Sequence, residues 1–215
     1  MHSRHRRTPV IFRDRSSAGA LLAESLRNET QPVVLGIARG GMLVAAPVAR
    51  ALGAGLDVCV IRKLGHPAQP ELAMGAVSPD GETALTDYAR DVSPEELRER
   101  IEAAQAAGRA LEERLRGDRP RVDLSGRTVI IVDDGIATSA TMLCAIKHAR
   151  ARGAVRVVCA VPVAPSDFLD RFRGAADRLV VLTTASEWHF AVGRYYADFH
   201  EVSDEEVRAA LLMEG

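Results

Sequence analysis

Four consecutive β-branched residues, Val129, Ile130, Ile131 and Val132, constrain this chain more than any other feature. Such side chains are stiff at χ1 and favour strands. A strand with one wet face alternates apolar and polar residues, so a run without polar residues is buried on both faces. "PVVLGIA" (32–38), "LDVCVIRKL" (56–64) and "AVRVVCAVPVAP" (154–165) are further strand-like, largely apolar runs. Helical patterns lie between them: "MLVAAPVARALG", stopped by Gly53, and "SATMLCAIKHARARG", stopped by Gly153. Strand, glycine turn, helix and strand within about 30 residues is a right-handed βαβ unit. The alternation predicts an α/β fold with a central, mostly parallel sheet flanked by helices.

The remaining segments fit around that sheet. "SSAGALLAESLRN" reads as a helix behind a Ser16/Ser17 cap. "GHPAQPELAMGAVSPDGETAL" (65–85) predicts a mobile loop and then a short hairpin around Pro79-Asp80-Gly81. "SPEELRERIEAAQAAGRALEERLRG" (93–117) has a Ser93 cap, Pro94 at the first helical position and charges in i,i+4 pairs. It predicts a long solvated helix, inserted as a projection at about 90–119. "DFLDRFRGAADRLVVLTT" predicts a short helix and a strand, and the tail to Glu214 ends in a short helix. The whole chain, 1–215, reads as one domain with a small hood at about 186–200.

Composition narrows the function. With 47% hydrophobic residues and a net charge of −1, the chain is globular, and nothing points to a nucleic-acid or membrane partner. The basic start "MHSRHRRTP" has no long apolar run behind it and reads as a solvated tail. Cys59, Cys144 and Cys159 form no close pair and read as small buried hydrophobes, which points to a cytoplasmic protein. The six histidines show no metal-ligand spacing.

Chemistry concentrates after Val132. Asp133 and Asp134 stand at the carboxyl end of a buried strand, where open parallel sheets bind ligands. The small residues that follow let backbone N–H groups face an anion, helped by the positive end of the next helix. Thr138, Ser139 and Thr141 add hydroxyl donors. The two carboxylates can accept hydrogen bonds from hydroxyls or hold a divalent cation, and are expected to be solvated rather than paired. The stretch therefore suits a phosphate beside a diol, the shape of a ribose 5-phosphate.

"VIIVDDGIATSAT" (129–141) resembles the phosphoribosyl pyrophosphate (PRPP) signature of the type I phosphoribosyltransferases. The resemblance implies that Asp133 and Asp134 hold the ribose hydroxyls and Mg2+, and that Ala137, Thr138, Ser139, Ala140 and Thr141 cradle the 5′-phosphate. "ARGG" (38–41) is similar to the family's pyrophosphate loop, which implies a role for Arg39 and Gly40. "RKLGHPAQPELAMGA" (62–76) resembles its flexible catalytic loop, with Arg62 and Lys63 closing over the pyrophosphate and Glu71 a base for the nucleophile. "EWHFAVGRYYADF" (187–199) resembles the hood that reads a base, with Phe190 stacking, Trp188 a rival for that role and Val192 behind. No metal role carries over to Asp198, whose register is one residue long.

The chain departs from the family pattern at three positions. Gly135 replaces a branched residue. Ser139 replaces a glycine, which at positive φ would cost about 1–2 kcal/mol. Ala137 stands where 6-oxopurine enzymes carry an acidic base, which turns the resemblance toward the adenine type. The implied activity is transfer of ribose 5-phosphate from PRPP to a nitrogen nucleophile such as a nucleobase, with Mg2+ and release of pyrophosphate. The expected partners are PRPP, a small-molecule acceptor and a second copy in a homodimer. A PRPP- or nucleotide-sensing regulator without turnover is the alternative. An aspartyl-phosphate domain fits worse, because it needs no hydroxyl cradle.

Overall fold

The computed structural model describes residues 11–69, 72–136, 139–185 and 191–212. In chain order these form α1 (Arg15–Glu24), β1 (Val33–Ile37), α2 (Gly40–Leu52), β2 (Gly55–Cys59), β3 (Arg62–Gly65), β4 (Ala73–Val77) and β5 (Thr83–Leu85). After them come α3 (Pro94–Arg116), β6 (Thr128–Val132), α4 (Ser139–Ala151), β7 (Arg156–Pro165), α5 (Phe168–Arg171), β8 (Arg178–Ala185) and α6 (Asp204–Leu212). The five-stranded sheet runs β2-β1-β6-β7-β8 with every pairing parallel, and β6 is central.

Both faces are covered, as the unbroken apolar runs require. Ile130 and Val132 pack with residues of α1, α2, α3 and α6, while Val129 and Ile131 pack with residues of α4. Successive strand residues point to opposite faces, so β6 supplies two cores at once. Cys59, Cys144 and Cys159 are buried and unpaired with one another. Burial pushes all three thiols up, Cys144 to about 12.

Three local expectations change. Helix α1 is capped by Asp14, whose Oδ1 accepts from Ser17 N at 2.7 Å, while Ser17 Oγ accepts from Asp14 N. A carboxylate one position before the helix outcompetes the serines because it also complements the helix dipole. The run 56–64 is two strands in two sheets: β2 ends at Cys59, and β3 joins β4 and β5 in an antiparallel sheet containing the expected hairpin. Helix α3 is solvated on one side alone. Its Ser93 cap, Pro94 and Gly117 stop are as read, but Leu111, Glu112 and Leu115 are buried where it packs against β2, β3 and α6. Arg116 of α3 reaches the buried Asp57 of β2 at 2.6 Å.

Candidate active site

The carboxyl edge of β6 delivers Asp133 and Asp134 against the start of α2. Gly40 and Gly41 make that approach feasible. A Cβ on Gly40 would collide with Asp134 Oδ2, and one on Gly41 would sit 2.7 Å from Val132 O and 2.9 Å from Asp133 Cα. The Ala38–Arg39 peptide just before them is cis. The positive end of α2 therefore lies against the acidic pair.

Asp134 is not a free solvated group. Arg15 Nε donates to its Oδ2 at 2.8 Å, and Arg15 Nη1 donates to His200 O at 2.9 Å. The Arg15 guanidinium lies 3.8 Å from the Phe199 ring centroid, a cation–π contact. Tyr196 Oη donates to the Asp134 carbonyl at 2.6 Å, and its ring stacks on Phe199 with centroids 5.0 Å apart. Burial pushes the Tyr196 phenol up, so it stays a neutral donor. Asp133 accepts from Asp134 N at 2.9 Å through Oδ1. Burial, and then the charge of Asp134, raise the Asp133 carboxyl well above the ordinary range. Burial also raises Asp134, and Arg15 opposes it. The expectation of two solvated, unpaired carboxylates is thus corrected: Asp134 is ion-paired, and α1 supplies the guanidinium beside it.

Ala137 and Thr138 of the phosphate cradle lie outside the described residues. Ser139 opens α4, followed by buried Ala140 and half-buried Thr141. Gln31 is the one described non-glycine residue with positive φ, so Ser139 carries no left-handed strain and the departure from glycine costs nothing on that account. Its Oγ is buried with no hydrogen-bond partner among the described residues, at the end of a helix that attracts anions. Gly135 also finds its reason. A Cβ there would lie 2.5 Å from Val192 Cγ1, so Val192 fills the space a branched side chain would take.

The basic residues are more dispersed than the sequence suggested. Arg39 Nε donates to Asp204 Oδ1 of α6 at 2.7 Å, and Arg114 of α3 bonds the other oxygen of Asp204 at 3.2 Å. Arg62 and Lys63 are successive residues of β3 and point to opposite faces. The Arg62 stem lies beside Gly108 of α3. Lys63 pairs with Ala76, which packs among residues of α4, so Lys63 lies on the α4 side. The two therefore lie on opposite faces of β3. Glu71, Trp188 and Phe190 lie outside the described residues.

Another acidic group sits elsewhere. Ligand atoms of Asp80, Glu82 and His148 lie within 4.8 Å of one another, but Arg121 bonds Asp80 at 2.6 Å and His148 Nδ1 bonds Glu82 at 3.0 Å. His148 is nine residues beyond Ser139 on α4, about 14 Å along the helix. That group is not part of the acidic-pair site.

Sequence reading missed Arg15, Tyr196 and Phe199. A signal for Arg15 was present. The buried stripe of α1 runs through 15, 18, 19, 22 and 23, so an arginine occupies a core-facing helical position. A buried arginine requires a carboxylate. Nothing in the order of residues says which one.

The sequence model of the phosphoribosyl transferase domain matches residues 16–199. Two strains of Mycobacterium tuberculosis carry relatives, MT0597 and Rv0571c, whose names assign them provisionally to the phosphoribosyl transferases. Each is 47% identical over 208 residues, covering 94% of this chain and 46% of the relative. The chain thus spans about half the length of these curated relatives. The crystal structure of TT1426 from Thermus thermophilus is 45% identical, with a TM-score of 0.80 over 94% of this chain and 98% of that one. With the domain matched across the five-stranded parallel sheet and the acidic pair that ends its central strand, the chain belongs to the phosphoribosyl transferase domain family and has its type I fold.

Proposed function

We propose that this chain moves the ribose 5-phosphate of PRPP onto a nitrogen nucleophile of the nucleobase class and releases pyrophosphate. One juxtaposition carries the reading: two carboxylates at the end of β6, then a helix start whose Ser139 hydroxyl is buried and unpartnered among the described residues. The carboxylates suit the ribose diol and the α4 start suits the 5′-phosphate. In the reaction the bond from C1′ to the pyrophosphate oxygen breaks, a bond from C1′ to nitrogen forms, and the nucleophile gives up a proton. Glu71 is the proposed acceptor of that proton. Asp133 and Asp134 hold the sugar and stabilise positive charge growing on it. Lys63, and Arg39 once it exchanges Asp204 for a phosphate oxygen, neutralise the departing pyrophosphate. The segment 65–71 closes over the site and excludes water.

The hard oxygen donors of the acidic pair fit a magnesium ion. When bound there, magnesium adds positive charge against the leaving group. Val192, with Phe190 and Trp188, forms the acceptor side of the site. The buried, unpaired cysteines support a reducing, cytoplasmic setting.

The test has two stages. PRPP with Mg2+ is expected to raise the melting temperature more than either alone, a stabilisation of about 2.7 kcal/mol at 100 times Kd. A panel of nucleobases and small amines is then scored for pyrophosphate release. A flat melting response across millimolar PRPP rejects the proposal. Binding without release from any acceptor supports the regulatory alternative.

A further inference from the structure

We infer that Arg15 divides the work of the acidic pair: it fixes Asp134 as an acceptor of ribose hydroxyls and keeps divalent cations off it, which leaves Asp133 as the carboxylate that takes the metal. The ribose half rests on the proposed function; the cation half stands on the protein alone.

The argument begins with how firmly Arg15 is held. It is 6% exposed, and three contacts fix its guanidinium: Asp134 Oδ2, the His200 carbonyl and the face of Phe199. Phe199 in turn stacks on Tyr196, whose hydroxyl holds the Asp134 carbonyl. The side chain and the carboxylate it serves are therefore clamped by one segment, 196–200. Moving the guanidinium aside would break all three contacts at once.

A fixed guanidinium 2.8 Å from Asp134 Oδ2 has two consequences. It consumes that oxygen, which also abuts Gly40, and leaves Oδ1 for a hydroxyl donor. It also repels a second cation, because two like charges in a poorly hydrated crevice interact strongly. Asp133 differs. Its Oδ1 accepts a backbone N–H, and among the described residues no cation forms an ion pair with it, the charge of Arg15 reaching it only from beyond contact distance. A hard divalent ion seeks a carboxylate with an uncompensated charge, and Asp133 is the one the pair offers. Two adjacent residues of one type thus acquire different tasks from a single side chain 119 positions from Asp134 in sequence.

The inference separates from the proposed function by experiment. Mn2+, which favours the same octahedral oxygen donors as magnesium, is titrated into the protein and followed by electron paramagnetic resonance, with and without PRPP. PRPP binding with Mg2+ is measured by calorimetry on the same samples. In Asp133→Asn, Mn2+ affinity is expected to fall about tenfold further than in Asp134→Asn, the size of one lost charged contact. In Arg15→Met the two readouts move oppositely: PRPP weakens about ten- to hundredfold while Mn2+ tightens. Arg15→Lys restores part of the PRPP affinity, because an ammonium keeps the charge and loses the fork.

A purely structural Arg15 would lower both affinities together. Should Arg15→Met not fold, the Arg15→Lys and two asparagine variants still decide. Equal Mn2+ losses from Asp133→Asn and Asp134→Asn overturn the inference, as does an Arg15→Met or Arg15→Lys protein in which both ligands weaken in parallel. A parent that binds no PRPP rejects the proposed function alone, and the Mn2+ pattern then still decides between the two aspartates.

Discussion

Two arginine–carboxylate assemblies occupy this molecule, and they differ in how completely their charges are matched. Beneath α3, Asp57 accepts from Arg116 at 2.6 Å and from the backbone N–H groups of Val58 and Val122. Glu112 accepts from Arg116 at 3.1 Å and from both ends of the Arg121 fork, and Arg121 reaches on to Asp80 at 2.6 Å. Each carboxylate there has a guanidinium. At the edge of β6, two adjacent aspartates share the single guanidinium of Arg15. The first assembly ties α3 to the sheet, and its three carboxylates each touch one of the two guanidiniums of Arg116 and Arg121. The second leaves Asp133 without an ion-pair partner among the described residues, an arrangement that suits the proposed ligand site. Burying a charge without a partner is costly, so the protein tolerates it where a ligand supplies the partner.

Breaking the matched assembly is expected to produce the largest effect. Arg116→Met strands the buried Asp57 in the interior, while Glu112 keeps Arg121, and should cost about 3–5 kcal/mol in urea unfolding. PRPP affinity of the folded fraction should hold, because the network lies outside the crevice. A loss under about 1 kcal/mol would mean that the buried carboxylates find other partners.

The acidic pair should respond in the opposite sense. Asp133→Asn removes a crowded like charge, so its melting temperature should equal or exceed that of the parent. PRPP affinity should meanwhile fall by about 1.5–3 kcal/mol. Asp134→Asn should behave differently, since it strips Arg15 of its carboxylate and should cost about 1–3 kcal/mol of stability. Equal melting temperatures for the two variants would remove the distinction between them.

A pH series sharpens the same comparison. Burial works to raise the Asp80 carboxyl, but the Arg121 hydrogen bond and charge carry it below the ordinary range. A depressed carboxylate contributes stability that is present above its unfolded pKa, about 3.9, and is lost as pH falls through the folded value. Asp80→Asn should therefore melt below the parent at pH 7, and the gap should close below about pH 4. The pair is partly exposed and screened, so the gap should stay under about 1 kcal/mol. A gap that widens in acid contradicts the assignment.

The smallest effect belongs to the contact that joins the two regions. Asp204 holds Arg39 of the proposed pyrophosphate loop and Arg114 of α3. Asp204→Asn should shift stability by less than about 1 kcal/mol. It should also tighten pyrophosphate binding a few-fold, because Arg39 no longer has to leave a carboxylate. Unaltered pyrophosphate affinity would show that Arg39 works from where it already lies.

Much of the architecture was readable from local pattern. Unbroken apolar runs alternating with helical ones dictate a parallel sheet covered on both faces, and glycines 53 and 153 stop helices α2 and α4 as read. Asp133 and Asp134 were legible because a carboxylate pair at a strand end has few other uses. What local pattern could not reach is where the chain is cut and who meets whom. The run 56–64 looks continuous, since periodicity does not register that β3 leaves one sheet for another. Helix α3 looks solvated because charged residues cover most of it, and its buried side is defined by β2, β3 and α6. Arg15 is the sharpest case. Its place on a buried helical stripe is written in sequence, as is the need for a carboxylate near it. That the carboxylate is Asp134, and that Asp133 is left without a cation partner among the described residues, depends on the packing of α1, the start of α2 and the 196–200 segment around one strand end. Local sequence sets which groups carry charge and which backbone they prefer. Long-range packing sets which charges neutralise one another, because ion pairing in a buried crevice is decided over a few ångströms and across more than a hundred residues of chain.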